Sequence, residues 1–379
     1  MIVDLDAIKA NAGCLLRHLS NGTQLMAVVK ADGYGHGGSQ VARAAVLGGA
    51  SWLGVATVEE GIELRTSGLD VPVLILGPVS PSEFPVAQSN ELDITVGSLT
   101  QVEALKEMTL SNRLPLRVQV KANTGMNRFS LVPNAVETAV AELLRDDRVI
   151  LTGIYTHFAR SDEADRQSTD AQLARFKNVL ASLQDLGVTL GLVHASNSGG
   201  ILASREYDFS MVRAGISLYG VPPGPDRPLF EDMRSALRVE ARVQRVEWVE
   251  PGDEIGYGGT YIVQRPTRIV LLGLGYADGY PRSLSNLGWV SIRDQRCQVA
   301  GRVSMDQMSV ELPPELACEV GDIACVIGNA IENEPSVEYL AALAKTIPYE
   351  ILTGLGNRLP VVYHRNGEVV AFNNVACSL

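Results

Sequence analysis

At 379 residues the chain exceeds the size at which one hydrophobic core usually keeps growing, so two domains are expected. It is 46% hydrophobic and 20% charged, a globular balance that excludes a disordered or fibrous chain. A net charge of −11, a pI near 5.1 and the lack of a basic tract argue against nucleic acid or an anionic membrane as partner.

The five cysteines, Cys14, Cys297, Cys318, Cys325 and Cys377, are odd in number and scattered, without CxxC spacing. They fit reduced thiols of a cytoplasmic protein better than a disulfide frame or a zinc site. The opening MIVDLDAIKANAG lacks the basic, apolar and small-residue succession of an export signal, and no apolar run reaches membrane length.

In chain order a strand-then-helix rhythm repeats. Leu25–Lys30 precedes an amphipathic stretch from Ser39 to Leu47, and Trp52–Val55 precedes Glu59–Thr66. Val73–Leu76 and Leu92–Val96 follow, with Ser98 placed to cap a helix over Thr100–Met108. Leu116–Lys121 leads to Asn134–Leu144, and Val149–Tyr155 to a long helix near Thr169–Leu186. Leu190–Ala195 and Phe209–Arg213 bring the candidate strands to eight before the Pro/Gly break GVPPGPDRP. Strands alternating with helices imply a parallel sheet, and eight of them a closed (β/α)8 TIM-like barrel. An open doubly wound sheet is the rival, but the first strand lacks its GxGxxG turn.

Beyond the break the texture changes to alternating, turn-rich strands: Leu237–Val243, Arg268–Leu272, Trp289–Ile292, Gln298–Val303, Met308–Leu312, Asp322–Ile327, Pro360–His364 and Val369–Phe372. Only Val337–Thr346 reads as helix there, so this is a mostly antiparallel β domain. The boundary falls between residues 225 and 226: a barrel domain over 1–225 and a β domain over 226–379.

The stretch LMAVVKADGYGHGG, Leu25 to Gly38, carries the strongest chemical signal. A lysine at the rim of an apolar layer can have its pKa pulled down and form a Schiff base, which makes Lys30 a candidate. The glycines that follow let backbone amides approach an anion. If the barrel closes, residues just past the other strands converge with it: Lys121, Arg128, His157, the HASNSGG run at His194–Gly200, and Arg213 with Ala214-Gly215-Ile216. Such a cation-rich rim suits an anionic cofactor and a carboxylate substrate. Ser198 before Gly199-Gly200 reads as a helix start, and Gly215-Ile216 offers further amides. No His, Cys and Asp cluster has metal-ligand spacing. Taken singly, His157 also reads as a satisfied core histidine, Arg213 as a surface ion-pair partner, and Lys121 and Arg128 as solvated cations; their coincidence favours a site.

These segments, VVKADGYGHG, KANTGMNRF, YTHFA, ASNS, MVRAGISLYG, IGYGGTY, LGYADGYPR, GRVSMDQM and TIPYEILTGLGNR, resemble the alanine racemase family, in order and over nearly the whole chain. The resemblance implies a pyridoxal 5'-phosphate enzyme interconverting L- and D-alanine, a cytoplasmic head-to-tail homodimer supplying D-alanine for bacterial peptidoglycan. It makes Lys30 the Schiff-base lysine, which deprotonates D-alanine. The partner's Tyr257 becomes the second base, which acts on L-alanine. Arg213 matches the neighbour of the pyridine nitrogen, with His157 linking it to the tyrosine. Tyr34, Ser198, Gly215, Ile216 and Tyr349 match the phosphate cradle. Arg128 and the backbone amide of the partner's Met305 match the holders of the substrate carboxylate.

Two acid–base groups must flank a planar intermediate, because racemisation removes the α-proton from one face and returns one to the other. A tyrosine, ordinarily near pKa 10, needs nearby positive charge to act as a base. The usual KxDTGMxRxG segment here has Asn123 for the acid and Ser130 for the glycine, and Glu311 stands where a shorter acid is usual. Lys121 matches a lysine that is often carbamylated. Tyr349 narrows the pocket by resemblance and favours alanine over serine. The rivals are a serine or broad-specificity racemase, a barrel decarboxylase (which lacks IGYGGTY and VSMDQM), and a non-enzymatic pyridoxal-phosphate homeostasis protein, which resembles the barrel alone.

Overall fold

The computed structural model describes residues 1–108, 114–328, 333–356 and 358–373; Cys377, and Asn357 of the GLGNR run, lie outside them. Two compact units emerge, one of Ile8–Gly33 and Gly37–Met233, the other of Met1–Ala7, Tyr34–His36 and the chain from Arg234 onward. The first strand, β1 (Ile2–Asp4), belongs to the second unit.

In the first unit eight parallel strands close into a barrel. They are β2 (Gln24–Val28), β3 (Trp52–Val55), β4 (Val73–Ile75), β5 (Leu92–Val96), β6 (Leu116–Lys121), β7 (Val149–Tyr155), β8 (Leu192–His194) and β9 (Met211–Ala214). The near-continuous apolar runs are what a strand buried on both faces requires. Local chemistry sets the helix starts. Thr57 and Glu60 form a reciprocal capping box at Val58–Thr66, and Ser98 accepts from the Gln101 amide to open Leu99–Glu107.

The barrel interior is two-sided. Met26, Trp52, Leu74, Tyr155 and Met211 pack into one apolar cluster. Across β5 to β9 alternate positions are polar instead: Asp93, Thr95, Gln119, Lys121, His194 and Arg213 are all buried. The register of β6 on β7 steps from Val118↔Leu151 to Gln119↔Gly153, leaving Thr152 as a bulge residue. Gly153 has no room for a side chain, since a Cβ would lie 2.6 Å from the Leu192 carbonyl oxygen and 3.3 Å from Gln119 Oε1.

The second unit holds a nine-stranded sheet among the described residues. Its order is Thr267–Leu272, Met308–Glu311, Gln295–Val299, Trp289–Ile292, Ile323–Ile327, β10 (Leu237–Val249), β1, Val361–Arg365 and Glu368–Asn373. β1 pairs antiparallel with β10 and parallel with Val361–Arg365. The expected strand Gln298–Val303 lies earlier, at Gln295–Val299, because Arg293 and Asp294, both at positive φ, turn a tight hairpin from Trp289–Ile292. The expected single helix is two. Val337–Ala344 stops at Lys345 in the left-handed conformation, and Pro348, with φ preset for a first helical position, starts Pro348–Gly354. Among the described residues no helix is long and apolar enough to cross a membrane.

Gly153→Ala tests the tight passage between β7 and β8. The added methyl overpacks the strand, and a loss of about 1–3 kcal/mol is expected as a lower urea midpoint with unchanged slope.

Candidate active site

The chain after Lys30 runs through a left-handed turn: Ala31 (φ 53), Asp32 (φ 49), Gly33 (φ 60) and Tyr34 (φ 53). For residues with a Cβ this conformation costs roughly 1–2 kcal/mol each, so the surroundings must enforce it. Glu60 Oε1 accepts from the Ala31 amide at 2.7 Å, while its Oε2, accepting from the Ala56 amide at 2.6 Å, anchors the carboxylate. Asp32 Oδ1 accepts from the Gly38 amide at 2.6 Å, and Gly33 donates to the Val29 carbonyl at 2.8 Å. The glycine-rich run thus fixes where Lys30 leaves the barrel. Burial, and next the Arg128 charge, hold the Lys30 amine below its usual range, while Glu60 acts the other way.

Arg213 is buried at the same end, at 3% exposure. Its Nη1 donates to His194 Nδ1 at 2.7 Å. Nη2 is shared among the Thr156 carbonyl (2.8 Å), the Ala195 carbonyl (2.9 Å) and His157 Nδ1 (3.2 Å). The guanidinium also lies 5.1 Å over the Tyr155 ring, which stacks on His194 at 4.6 Å. A guanidinium can only donate, so both imidazoles accept at Nδ1 and carry their proton on Nε2. Burial, reinforced by Arg213, keeps both His157 and His194 well below the usual histidine pKa. Desolvation brings Arg213 itself down to about 10, and it stays charged at neutral pH.

Lys121 lies 5.4 Å from the Tyr155 ring centroid and 6.0 Å from that of Phe129. Burial, then the charges of Arg213, Arg128 and Lys30, lower its amine to about 7. Asn123 organises the following loop, its Oδ1 accepting from the Gly125 amide at 3.1 Å and the Asn127 amide at 3.2 Å. A carboxylate would accept these same two bonds, so the departure from the acid preserves the loop that presents Arg128. The further bond from Asn123 Nδ2 to Asn127 Oδ1, at 3.0 Å, needs the amide.

Ser198 is the first residue of the short helix Ser198–Ala203, whose cap is Asn197, accepting from the Gly200 amide. Ser198 Oγ instead accepts from the Gly215 amide at 2.9 Å and the Ser217 hydroxyl at 3.0 Å. This places Ser198 against the Gly215-Ile216 turn. In the second unit, the Tyr34 and Tyr349 rings lie 6.0 Å apart. Tyr257, on a turn with Gly256 and Gly258 at positive φ, is 70% exposed, and Met305 is 52% exposed.

The barrel unit therefore brings Lys30, Lys121, Arg128, His157 and Arg213 into one electrostatic cluster and joins Ser198 to Gly215. Sequence reasoning gave no role to Glu60, Tyr155, Asp93 or Gln119. The available signal was alternation: Asp93 and Thr95 in LDITV and Gln119 and Lys121 in LRVQVK are polar on one face of buried strands.

A parallel barrel with an amine of lowered pKa and a buried arginine, in a chain that also carries a β unit, fits an enzyme that acts on an anionic small molecule. The profile of the alanine racemase N-terminal domain matches residues 3–223 and that of the C-terminal domain residues 236–363. An alanine racemase of Symbiobacterium thermophilum is 43% identical over 361 residues, 95% of this chain and 96% of its own. The crystal structure of alanine racemase from Bacillus anthracis with bound L-Ala-P is 32% identical, with a TM-score of 0.93 over 98% of this chain and 96% of that one. That from Streptomyces coelicolor is 37% identical, with a TM-score of 0.89 over 96% and 97%. The chain belongs to the alanine racemase family.

The two neutral imidazoles, His194 buried and His157 half-buried, set a pH dependence of stability. In the folded state His157 and His194 resist protonation, whereas in the unfolded chain they take up protons below about pH 6.5. The unfolded state then binds more protons, so stability falls as pH drops, by up to about 1.4 kcal/mol per pH unit for each imidazole. Urea unfolding from pH 7.5 to 5 is expected to show this slope, reduced in His157→Gln.

Proposed function

We propose that the enzyme interconverts L- and D-alanine with pyridoxal 5'-phosphate held on Lys30, in a homodimer with shared sites, supplying D-alanine for peptidoglycan in the cytoplasm. The observation that carries this reading is Arg213 charged between two neutral imidazoles, at the barrel end where Lys30 presents an amine of lowered pKa. The residues fit the cofactor in kind: an amine for its aldehyde, a hydroxyl and main-chain amides for its phosphate, and a guanidinium for its ring nitrogen. When bound, the cofactor joins a primary amine through its aldehyde and takes up the electron pair left at the substrate α-carbon.

Lys30 holds the cofactor and, once released as a free amine, moves the proton on one face of the α-carbon. Arg213 disfavours protonation of the ring nitrogen, because two adjacent positive charges in a dry site repel. This weakens the electron sink and limits side reactions. Ser198, Gly215 and Ile216 hold the phosphate; Tyr34 and Tyr349 are phosphate ligands by the same resemblance.

His157 links Arg213 to the second base. With Nδ1 accepting from Arg213, its Nε2–H is a donor, and a donor stabilises the phenolate of the partner's Tyr257. Supply from the partner requires an accessible ring, and Tyr257 is exposed. Arg128 and the amide of the partner's Met305 hold the substrate carboxylate. Lys121, its amine lowered to about 7, is the residue to take up carbon dioxide, which needs the free amine. The nitrogen bonds to the carbon and loses a proton to solvent, leaving a carbamate anion that braces Arg128.

Chiral analysis of product from purified protein tests the reading. D-alanine from L-alanine and the reverse, at rates above those with serine, are expected; no racemisation after loading with the cofactor contradicts it. A higher rate on serine selects the serine-racemase alternative.

Subunit sharing has its own test. Lys30→Ala and Tyr257→Phe proteins, each inactive, are expected to regain activity when mixed and allowed to exchange subunits. No recovery despite demonstrated exchange places both bases on one chain.

A further inference from the structure

A continuous chain of buried hydrogen bonds runs through the barrel to Arg213. At its far end Asp93 Oδ1 accepts from Arg117 Nε at 2.6 Å, and Oδ2 accepts from the Thr152 hydroxyl at 2.5 Å and from Gln119 Nε2 at 3.4 Å. His194 Nε2 and Gln119 Oε1 are 2.7 Å apart, and Arg213 Nη1 then donates to His194 Nδ1 at 2.7 Å. Asp93, Gln119 and His194 each have 0% exposure. The β7 bulge supplies the Thr152 donor, and the missing side chain of Gly153 leaves space for the Gln119 amide.

The two ends of this chain are of opposite kind. An ionised carboxylate only accepts and a guanidinium only donates, so the direction of every bond between them is determined. Gln119 must turn its NH2 toward Asp93 and its oxygen toward His194. His194 must then carry its proton on Nε2 and offer Nδ1 to Arg213. Reversing the amide would set a donor against a donor inside a dry core, where an unmade hydrogen bond is costly.

We propose that Asp93 and Gln119 are positioning residues: they fix the tautomer of His194, and through it hold Arg213 in place. The consequence for catalysis rests on the role proposed above for Arg213, whereas the tautomer itself can be read without cofactor or substrate. In Asp93→Asn the one remaining oxygen goes to the Arg117 guanidinium, the shorter and charge-assisted bond, so the NH2 faces Gln119 and the acceptor that orients its amide is lost. The amide can then turn its NH2 to His194, and the imidazole, facing a donor on each side with a single proton to place, divides between two tautomers.

Nitrogen-15 NMR of the full chain labelled at histidine tests this, because only five imidazoles contribute and His194→Gln assigns the signal. A single neutral Nε2–H form of His194, unchanged on adding pyridoxal phosphate, is expected in the native protein. In Asp93→Asn a second tautomer is expected, with racemisation falling alongside the lost Nε2–H population. The double variant Asp93→Asn with Gln119→Glu moves the carboxylate one link nearer and offers an acceptor whichever way it turns. It is expected to restore the single tautomer and recover activity.

A native His194 protonated on Nδ1, or titrating as an imidazolium, overturns the proposal. So does an Asp93→Asn protein with the native signal and rate, or a double variant that remains mixed. Should Asp93→Asn alone not fold, the double variant decides: it must fold and show one Nε2–H form. Correct tautomers in a protein without racemase activity would instead count against the role of Arg213.

Discussion

Keeping the Arg213 guanidinium charged inside a closed barrel is the constraint from which the site follows. A buried charge costs several kcal/mol unless its donors are satisfied. Here two carbonyls, two imidazole nitrogens and the face of Tyr155 do this in place of a neutralising carboxylate. The positive charge is therefore solvated but not cancelled. Its field helps to keep His157 and His194 neutral and lowers the Lys121 amine. What remains is a cationic rim suited to phosphate and carboxylate, with the Lys30 and Lys121 amines held below their usual range.

That arrangement depends on the two-sided barrel interior. An apolar cluster from Met26, Trp52, Leu74 and Met211 supplies the close-packed support, and the polar positions of β5 to β9 supply direction. Polar groups inside a barrel are tolerated when every one finds a partner, and they then specify a single arrangement. Tyr155 shows the coupling. Its ring carries the cations of Arg213 and Lys121, while its hydroxyl shares a 2.9 Å bond with Thr95.

Much of this was legible in the sequence. Trp52–Val55, Leu92–Val96, Leu116–Lys121 and Val149–Tyr155 were readable to the residue because short segments rich in β-branched and aromatic residues, some of them alternating, are too short for helices. β1 was not, since three residues carry no periodicity and their partners lie over 200 positions away. Lys30 stood out by its place at a strand end, but the left-handed turn behind it depends on Glu60, which reads in sequence only as part of a helix start. In the sequence Asn123 is visible only as the replacement of an acid; the folded loop uses the oxygen, which the amide keeps. Polar residues inside the barrel were hidden for a related reason: alternation reveals a face, but not that the face points into a core.

The proposed reaction needs two bases, supplied by different chains, on opposite faces of one α-carbon. The most direct measurement is exchange of the α-proton of each alanine enantiomer with deuterated water, followed at early times in Tyr257→Phe. This variant keeps the ring and leaves Lys30 and its environment in place, so one face retains its base. D-alanine is predicted to exchange with retention, faster than L-alanine. Equal exchange of the two enantiomers would mean that Lys30 serves both faces or that another group, His157 first, replaces the tyrosine, and the two-base assignment would not stand.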